Sequence, residues 1–403
     1  VAEKLLRILI VDDEQRVLDG LQRMLRPMRG AWEVTTACGG VPALAHLDQH
    51  RVDVVVSDMR MPGMDGAVLL NEVRTRQPHA VRIILSGQSE QEAVMRSIGP
   101  AHRYLSKPCE PELFFSTVRR AVALRARLSE PSLVSLVTSL RTLPTPSRTY
   151  QDLVTELGRS GGSLLRAGEI IGGDVGLTAK LLQVVNSAFF GLARNLVSPA
   201  EAANLLGVET LRALVLALGL FDTASVGSDY AELCERLRHH AINVSNLARA
   251  IARAEQQPPA VCDLARSAGL LHDCGILVLS ANLGGRYQEV LRSASAHRVP
   301  LHQAEQAVLG ATHAQVGAYL LALWGLPDQL VEVIAYHHQP EHEKIPHFTA
   351  LSAVHAADIL IGKEVGECGF SEHHPFEPAY FAAMGLADGL KRWRELTSPT
   401  EKT

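Results

Sequence analysis

The stretch VVVSDMRMPGMDG, residues 54–66, decides how the first third of the chain folds. Val54, Val55 and Val56 are consecutive β-branched residues, the composition of a strand buried on both faces. The run stops at Ser57-Asp58. That sets a carboxylate at the carboxyl end of the strand, the edge where sites form in an open parallel α/β sheet. Pro62, Gly63 and Gly66 then punctuate a loop that neither helix nor strand could run through. A lone strand-end aspartate often does no more than cap the next turn, so the meaning of Asp58 depends on what surrounds it.

Working outward, apolar runs at Leu6–Val11, Glu33–Ala37, Asp53–Ser57, Arg82–Leu85 and Arg103–Leu105 read as strands. Helix-period segments lie between and after them, near 14–27, 40–50, 67–76, 90–98 and 111–128. Five such units predict a doubly wound α/β fold, a parallel sheet with helices on both faces. Strands one, three, four and five end at Asp12-Asp13, Asp58, Ser86 and Lys107. Three carboxylates gathered in a poorly solvated cleft repel one another. A hard divalent cation relieves this, and Mg²⁺ prefers a few carboxylates together with water and phosphate oxygens. Ser86 can donate a hydrogen bond to a phosphoryl oxygen, and Lys107 can bring a compact positive charge to the same group.

With those residues in place, ILIVDDE, VVVSDMRMPGMDG, ILSG and YLSKP resemble the receiver domain of bacterial two-component response regulators, a flavodoxin-like fold of five parallel strands. The resemblance covers about the first 120 residues. It implies that Asp58 accepts a phosphoryl group from a sensor histidine kinase and that Asp12, Asp13 and Asp58 hold Mg²⁺. It also implies that Ser86 and Lys107 read the phosphorylated state, with Tyr104 as the switch aromatic. Phosphorylation adds charge and acceptor oxygens, and a face formed by the last helices and last strand would carry the change outward.

Bulk composition narrows the alternatives. The chain has 403 residues, 47% hydrophobic and 20% charged, enough for two or three domains with real cores. The first 128 residues carry 18 Lys+Arg against 15 Asp+Glu, and the rest 21 against 28. Neither part has the basic field of a nucleic-acid binder, and no helix-turn-helix with a basic recognition helix is evident. The six cysteines form no Cys-x-x-Cys pair, which points to a reducing compartment. VAEKLLRILIVDDE is too short an apolar run for a signal or a membrane span. The expectation is a cytoplasmic protein without a membrane segment.

After the receiver-like region (1–122), helical periodicity continues through a connector at 123–135, where Pro131 breaks the pattern, and a second apolar helix is expected over Leu133–Leu143. Such a connector can transmit rotation or support a homodimer, or it can be a final helix that packs on its own domain. From 132 to 345 the pattern is all-α, and 346–403 reads as a C-terminal helical extension completing that domain. His240, His272-Asp273, His313, His337-His338 and Asp358 stand out within apolar helices. Such residues on facing helices can form a metal site, or an Asp can simply satisfy a neighbouring imidazole without an ion. His239, His297, His302, His342, His347, His355, His373 and His374 are expected at the surface.

LRTLPTPS, GDVGLTAKLLQVVNSAFFGL, LLGVETLRALVL, AGLLHDCGILVL, HAQVGAYLLALWGLP and AYHHQP look like the HDOD output domain, an HD-related module of bacterial signalling proteins. That resemblance implies a non-enzymatic domain that binds a downstream signalling protein. A second resemblance, to metal-dependent HD phosphohydrolases including the cyclic-di-GMP phosphodiesterases, implies that His240, His272, Asp273, His313, His337, His338 and Asp358 occupy positions of an Fe- or Mn-type site. Two departures count against turnover. Ile276 stands where a lysine follows HD-x-G, and no Gly-Tyr-Pro loop follows His338. The lost lysine removes a charge that would balance substrate phosphate.

Overall fold

The computed structural model describes residues 5–86, 101–125, 131–139, 147–158, 163–186, 195–217, 228–342, 347–364 and 378–397. The helix expected near 90–98, the end of the one expected over Leu133–Leu143, and His373 and His374 lie outside the described residues.

Strands β1 (Leu6–Asp12), β2 (Trp32–Cys38), β3 (Val54–Asp58), β4 (Val81–Ser86) and β5 (Arg103–Ser106) form one parallel sheet in the order β2-β1-β3-β4-β5. Every strand boundary falls within one residue of the sequence reading. β3 and β4 are buried along their whole length, as expected of apolar strands covered on both faces. Helices α1 (Gln15–Met24), α2 (Gly40–Gln49), α3 (Gly66–Arg76) and α4 (Pro111–Arg125) connect and follow the strands. The first helix stops at Met24, short of the expected 27, and Pro27 sits in a 3₁₀ turn at Arg26–Met28. Proline cannot donate the next helical hydrogen bond.

Strand order reverses between β1 and β3, so their carboxyl ends flank the crevice where an α/β sheet binds ligands. The loop after β3 folds back tightly. Gly66 N donates to Met59 O at 2.9 Å, and a Cβ on Gly66 would lie 2.2 Å from Asp58 O. The loop can therefore pass the strand end only with glycine there. Asp65 caps α3 by accepting from Val68 N at 2.9 Å.

The connector helix α5 (Pro131–Ser139) is fastened to the sheet by buried polar groups. Arg82 Nη2 and His102 Nε2 lie 2.5 and 2.7 Å from Thr138 O. Arg82 N donates to His102 Nδ1 at 3.0 Å, which leaves Nε2 as the donor of a neutral imidazole. Thr138 Oγ1 in turn reaches Pro78 O.

Beyond the connector the described residues are helical. In order these are α6 (Ser147–Gly158), α7 (Leu164–Ile171), α8 (Val175–Val185), α9 (Pro199–Ala217), α10 (Ser228–Ala254), α11 (Pro259–Leu271), α12 (Cys274–Leu283), α13 (Gly285–His297), α14 (Leu301–Leu309), α15 (His313–Leu323), α16 (Asp328–Tyr336), α17 (Ala350–Glu364), α18 (Pro378–Ala383) and α19 (Gly389–Arg394). α11 packs on α10 and α17, while α15 packs on α12 and α16. α15 also lies against α4 and α5, so it sits at the junction of the two halves. It is buried on nearly every side and starts with a capping box from Thr312 and Gln315.

One helical stretch, Pro259–Leu283, is long and apolar enough to cross a membrane by length and composition. Of its most apolar window, 78% is buried inside the protein. It comprises α11 and α12 and carries His272 and Asp273.

Candidate functional site

Two polar clusters stand out. The first is at the carboxyl edge of the sheet. Register aligns Val11 with Ser57, Asp58 with Leu85, and Ser86 with Ser106, which draws the strand ends together. Asp12 and Asp58 are buried, and Lys107 Nζ reaches both, at 2.7 Å from Asp12 Oδ2 and in contact with Asp58 Oδ1. The remaining carboxylate oxygens accept backbone donors, Glu14 N on Asp12 at 2.9 Å and Arg60 N on Asp58 at 2.7 Å. The Lys107–Pro108 bond is cis.

Burial pushes the Asp58 carboxyl above its usual range, and neighbouring Asp12 adds to this, despite the opposing pull of Lys107. Burial works against the Lys107 ammonium, but the two carboxylates outweigh it and hold it above its ordinary value. Ser86 is buried at the end of β4, Tyr104 is buried on β5, and Asp13 is exposed just beyond β1. Asp12, Asp13 and Asp58 are thus the oxygen donors that could hold Mg²⁺, whose chemistry suits carboxylates beside open coordination positions.

The second cluster lies in the helical half and gathers all seven residues singled out in the sequence. His240 comes from α10. His272 and Asp273 form the corner between α11 and α12. His313 opens α15, His337 and His338 follow α16, and Asp358 lies in α17. Close helix approach makes this convergence possible, since a Cβ on Gly275 would lie 2.0 Å from His313 O.

Asp273 is the hub. Its Oδ2 lies 3.1 Å from His272 Nε2 and 3.6 Å from His240 Nε2. Its Oδ1 lies 3.2 Å from His313 Nε2 and 3.7 Å from His337 Nε2. Asp358 Oδ1 is 3.1 Å from His240 Nε2, and His338 Nε2 is 2.7 Å from His313 Nε2.

The donor set fits a metal. His272 and His337 are fully buried, and each turns Nδ1 to a backbone carbonyl at 2.8 Å, Gly269 O and Ile334 O respectively. Their Nε2 atoms face the Asp273 carboxylate, at 3.1 Å for His272 and 3.7 Å for His337, without an aligned hydrogen bond. Buried nitrogens are rarely left so, and an Nδ1–H tautomer with an inward Nε2 lone pair is the ligating form. Two groups of ligand atoms, His240–His272–Asp273 and Asp273–His313–His337–His338, share Asp273, which could bridge two ions. Imidazole and carboxylate donors suit Fe, Mn or Zn.

Charge is strongly coupled here. Burial disfavours the His313 imidazolium, yet Glu305 and Asp273 overcome it and push its pKa up to about 10. Burial and the positive neighbours His272 and His313 bring His337 down to about 4, against the pull of Asp273. Asp273 is held well below the carboxylate range, because its histidine neighbours outweigh its burial.

Several contributors have no sequence signal. Glu305, fully buried in α14, accepts from His313 Nδ1 at 2.6 Å. His355 Nδ1 donates to His337 O at 2.7 Å. His302 and His355, expected at the surface, are buried. His302 stacks on His338 with centroids 4.4 Å apart, and His355 faces the corner after α16. Their helices turn these positions inward although their neighbours in sequence are unremarkable.

A five-stranded parallel sheet with an acid–lysine edge, joined to a helical domain with an HD-like cluster, defines a signalling switch module followed by an output module. Known families agree with this division. The response regulator receiver domain matches residues 8–119, and the HDOD domain matches residues 143–340. The chain is a response regulator in which a receiver domain precedes an HDOD domain.

It is 37% identical over 124 residues to the hydrogenase transcriptional regulatory protein HoxA of Cupriavidus necator, covering 30% of this chain and 25% of that protein. It is 24% identical over 287 residues to an uncharacterized protein of Treponema pallidum, covering 70% of this chain and 52% of that one. The chain thus spans between a quarter and about half of the length of these two curated relatives. Among solved structures, the MmoQ response regulator of Methylococcus capsulatus is 22% identical, with 63% of this chain and 98% of that chain covered and a TM-score of 0.48.

Proposed function

We propose that the chain is a phosphorelay response regulator whose HDOD domain presents a changed surface to a downstream protein when Asp58 is phosphorylated by a sensor histidine kinase in the cytoplasm. The observation that supports this most is the bridge from Lys107 Nζ to the buried carboxylates of Asp12 and Asp58. In the transfer, the N–P bond of the donor phosphohistidine breaks and an O–P bond to Asp58 forms. Asp12, Asp13 and Asp58 would hold Mg²⁺, which would supply positive charge against the phosphoryl oxygens. Lys107 and Ser86 then meet the phosphoryl oxygens, and Tyr104 repacks with them.

The output route runs through β5. Arg103, next to Tyr104, packs against Gly325 just beyond the end of α15. That helix begins with His313 of the histidine cluster. A shift at the switch strand therefore bears on one end of a helix whose other end carries a ligand-type histidine. Labelling with acetyl phosphate tests the input. Asp58→Ala should abolish the label and Asp53→Ala should retain it. A label that persists without Asp58 refutes the assignment.

The gathering of seven ligand-type residues favours a second reading, an HD-type phosphohydrolase of cyclic dinucleotides or nucleotides. A bound ion would supply an activated water at neutral pH. Ile276 in place of lysine weighs against it. Sustained turnover of cyclic-di-GMP with Mn²⁺ or Fe²⁺, lost on His272→Ala, would decide for it.

A further inference from the structure

Resting on the metal reading of the helical cluster, we propose that Glu305 is a positioning residue that presents His313 to the ion. Glu305 is 0% exposed. Its Oε2 accepts from His313 Nδ1 at 2.6 Å and from His313 N at 2.7 Å, and its Oε1 accepts from the Tyr287 hydroxyl at 2.8 Å. Tyr287 is itself buried, on α13.

The contrast with the other cluster histidines carries the assignment. His272 and His337 rest their Nδ1 atoms on neutral carbonyls, Gly269 O and Ile334 O. His313 rests on a carboxylate that has no exposure to water and is held by donors from two elements besides its own. A buried carboxylate is costly to keep ionised, so its placement behind one imidazole calls for a physical role. The Nδ1–H to carboxylate bond fixes the tautomer and turns Nε2 toward Asp273 and His338. It also raises the electron density at the ligating nitrogen. The second bond, to His313 N, holds the first residue of α15, so one carboxylate sets both ring and backbone.

That double role separates two outcomes. A residue that only caps α15 changes melting of the metal-free protein and leaves ion affinity alone. A positioning residue changes affinity and ligand field.

The test uses the full chain, in every case with Asp12→Asn and Asp13→Asn so that the sheet edge takes up no ion, stripped of metal and titrated with Mn²⁺ against a competing chelator, with Co²⁺ absorption as a second readout. Glu305→Gln, which preserves shape, should lower Mn²⁺ affinity about 10–100-fold and alter the Co²⁺ bands. Tyr287→Phe should move both in the same direction by less. Equal affinity and equal bands in Glu305→Gln and the otherwise unsubstituted chain overturn the assignment while leaving the metal reading intact. A lower melting temperature with unchanged affinity also overturns it. Absence of uptake by the otherwise unsubstituted chain sinks the metal reading and the assignment together. Should Glu305→Gln fail to fold, unchanged affinity in Tyr287→Phe counts against the proposal.

Discussion

Arg103 lies directly over Gly325. A Cβ on Gly325 would stand 2.5 Å from Arg103 Nη1 and 3.3 Å from its side chain carbon Cδ. Gly325 has φ +86, a left-handed conformation that favours glycine. Two constraints, backbone and space, thus meet at the point where β5 touches the turn after α15. Burial also pushes the Arg103 guanidinium down to about 10.

Gly325→Ala should therefore destabilise the chain by about 1–3 kcal/mol, the range for a strained backbone conformation. Urea denaturation would measure the shift in midpoint. An unchanged midpoint would mean that Arg103 swings away at little cost.

Asp58 gives a prediction of opposite sign. Its folded pKa is raised, mainly by burial. A raised value means that the group's contribution to stability is full below the unfolded value, near 3.9 for Asp, and is lost as pH rises through the folded one. Asp58→Asn should then be more stable than the unsubstituted chain at pH 7, by on the order of 0.5–2 kcal/mol, and the gain should vanish near pH 3.5. Parallel denaturation series at the two pH values check this. Equal stability at pH 7 would indicate that Lys107 fully compensates the buried charge.

His102 sets an acid limit on the connector joint. Burial first, and then the charge of Arg82, hold its pKa well below the usual histidine value. A lowered folded pKa means that the unfolded chain binds the proton first, so stability falls as pH drops below about 6.5. The loss should approach about 1.4 kcal/mol per pH unit below that point. Comparing His102→Gln with the unsubstituted chain at pH 7.5 and 5.5 isolates the effect, because His272 and His313, which titrate in the opposite sense, are common to both. The variant should lose less stability on acidification. Equal losses would show that the imidazole takes up its proton in place.

Much of the sheet was legible because its signal is local. Val54–Val56 declares a buried strand, and the polar residue ending each of four strands points to one edge. The seven helical residues were legible by pattern, since polar side chains interrupt apolar helices at family-like positions. What stayed hidden depends on chain segments far apart. Glu305 reads as one acid among many on an amphipathic helix until α14 turns it behind His313. Arg82 reads as the first residue of a strand until Thr138 supplies a carbonyl for its guanidinium. His302 and His355 read as exposed because nothing nearby in sequence says which side of their helices faces the core.

The position of α15 has a consequence for how these halves could be inherited or engineered. One helix at once opens with a histidine of the cluster and packs against both the helix after the last strand and the connector helix, while the turn that ends it meets Arg103 of that strand. Excising the C-terminal half would bare an apolar flank that water does not otherwise touch. Grafting it behind a foreign sheet would require a new partner for Gly325 as well as for that flank. The boundary between the halves is thus a shared wall, and swapping what stands on one side means rebuilding the other.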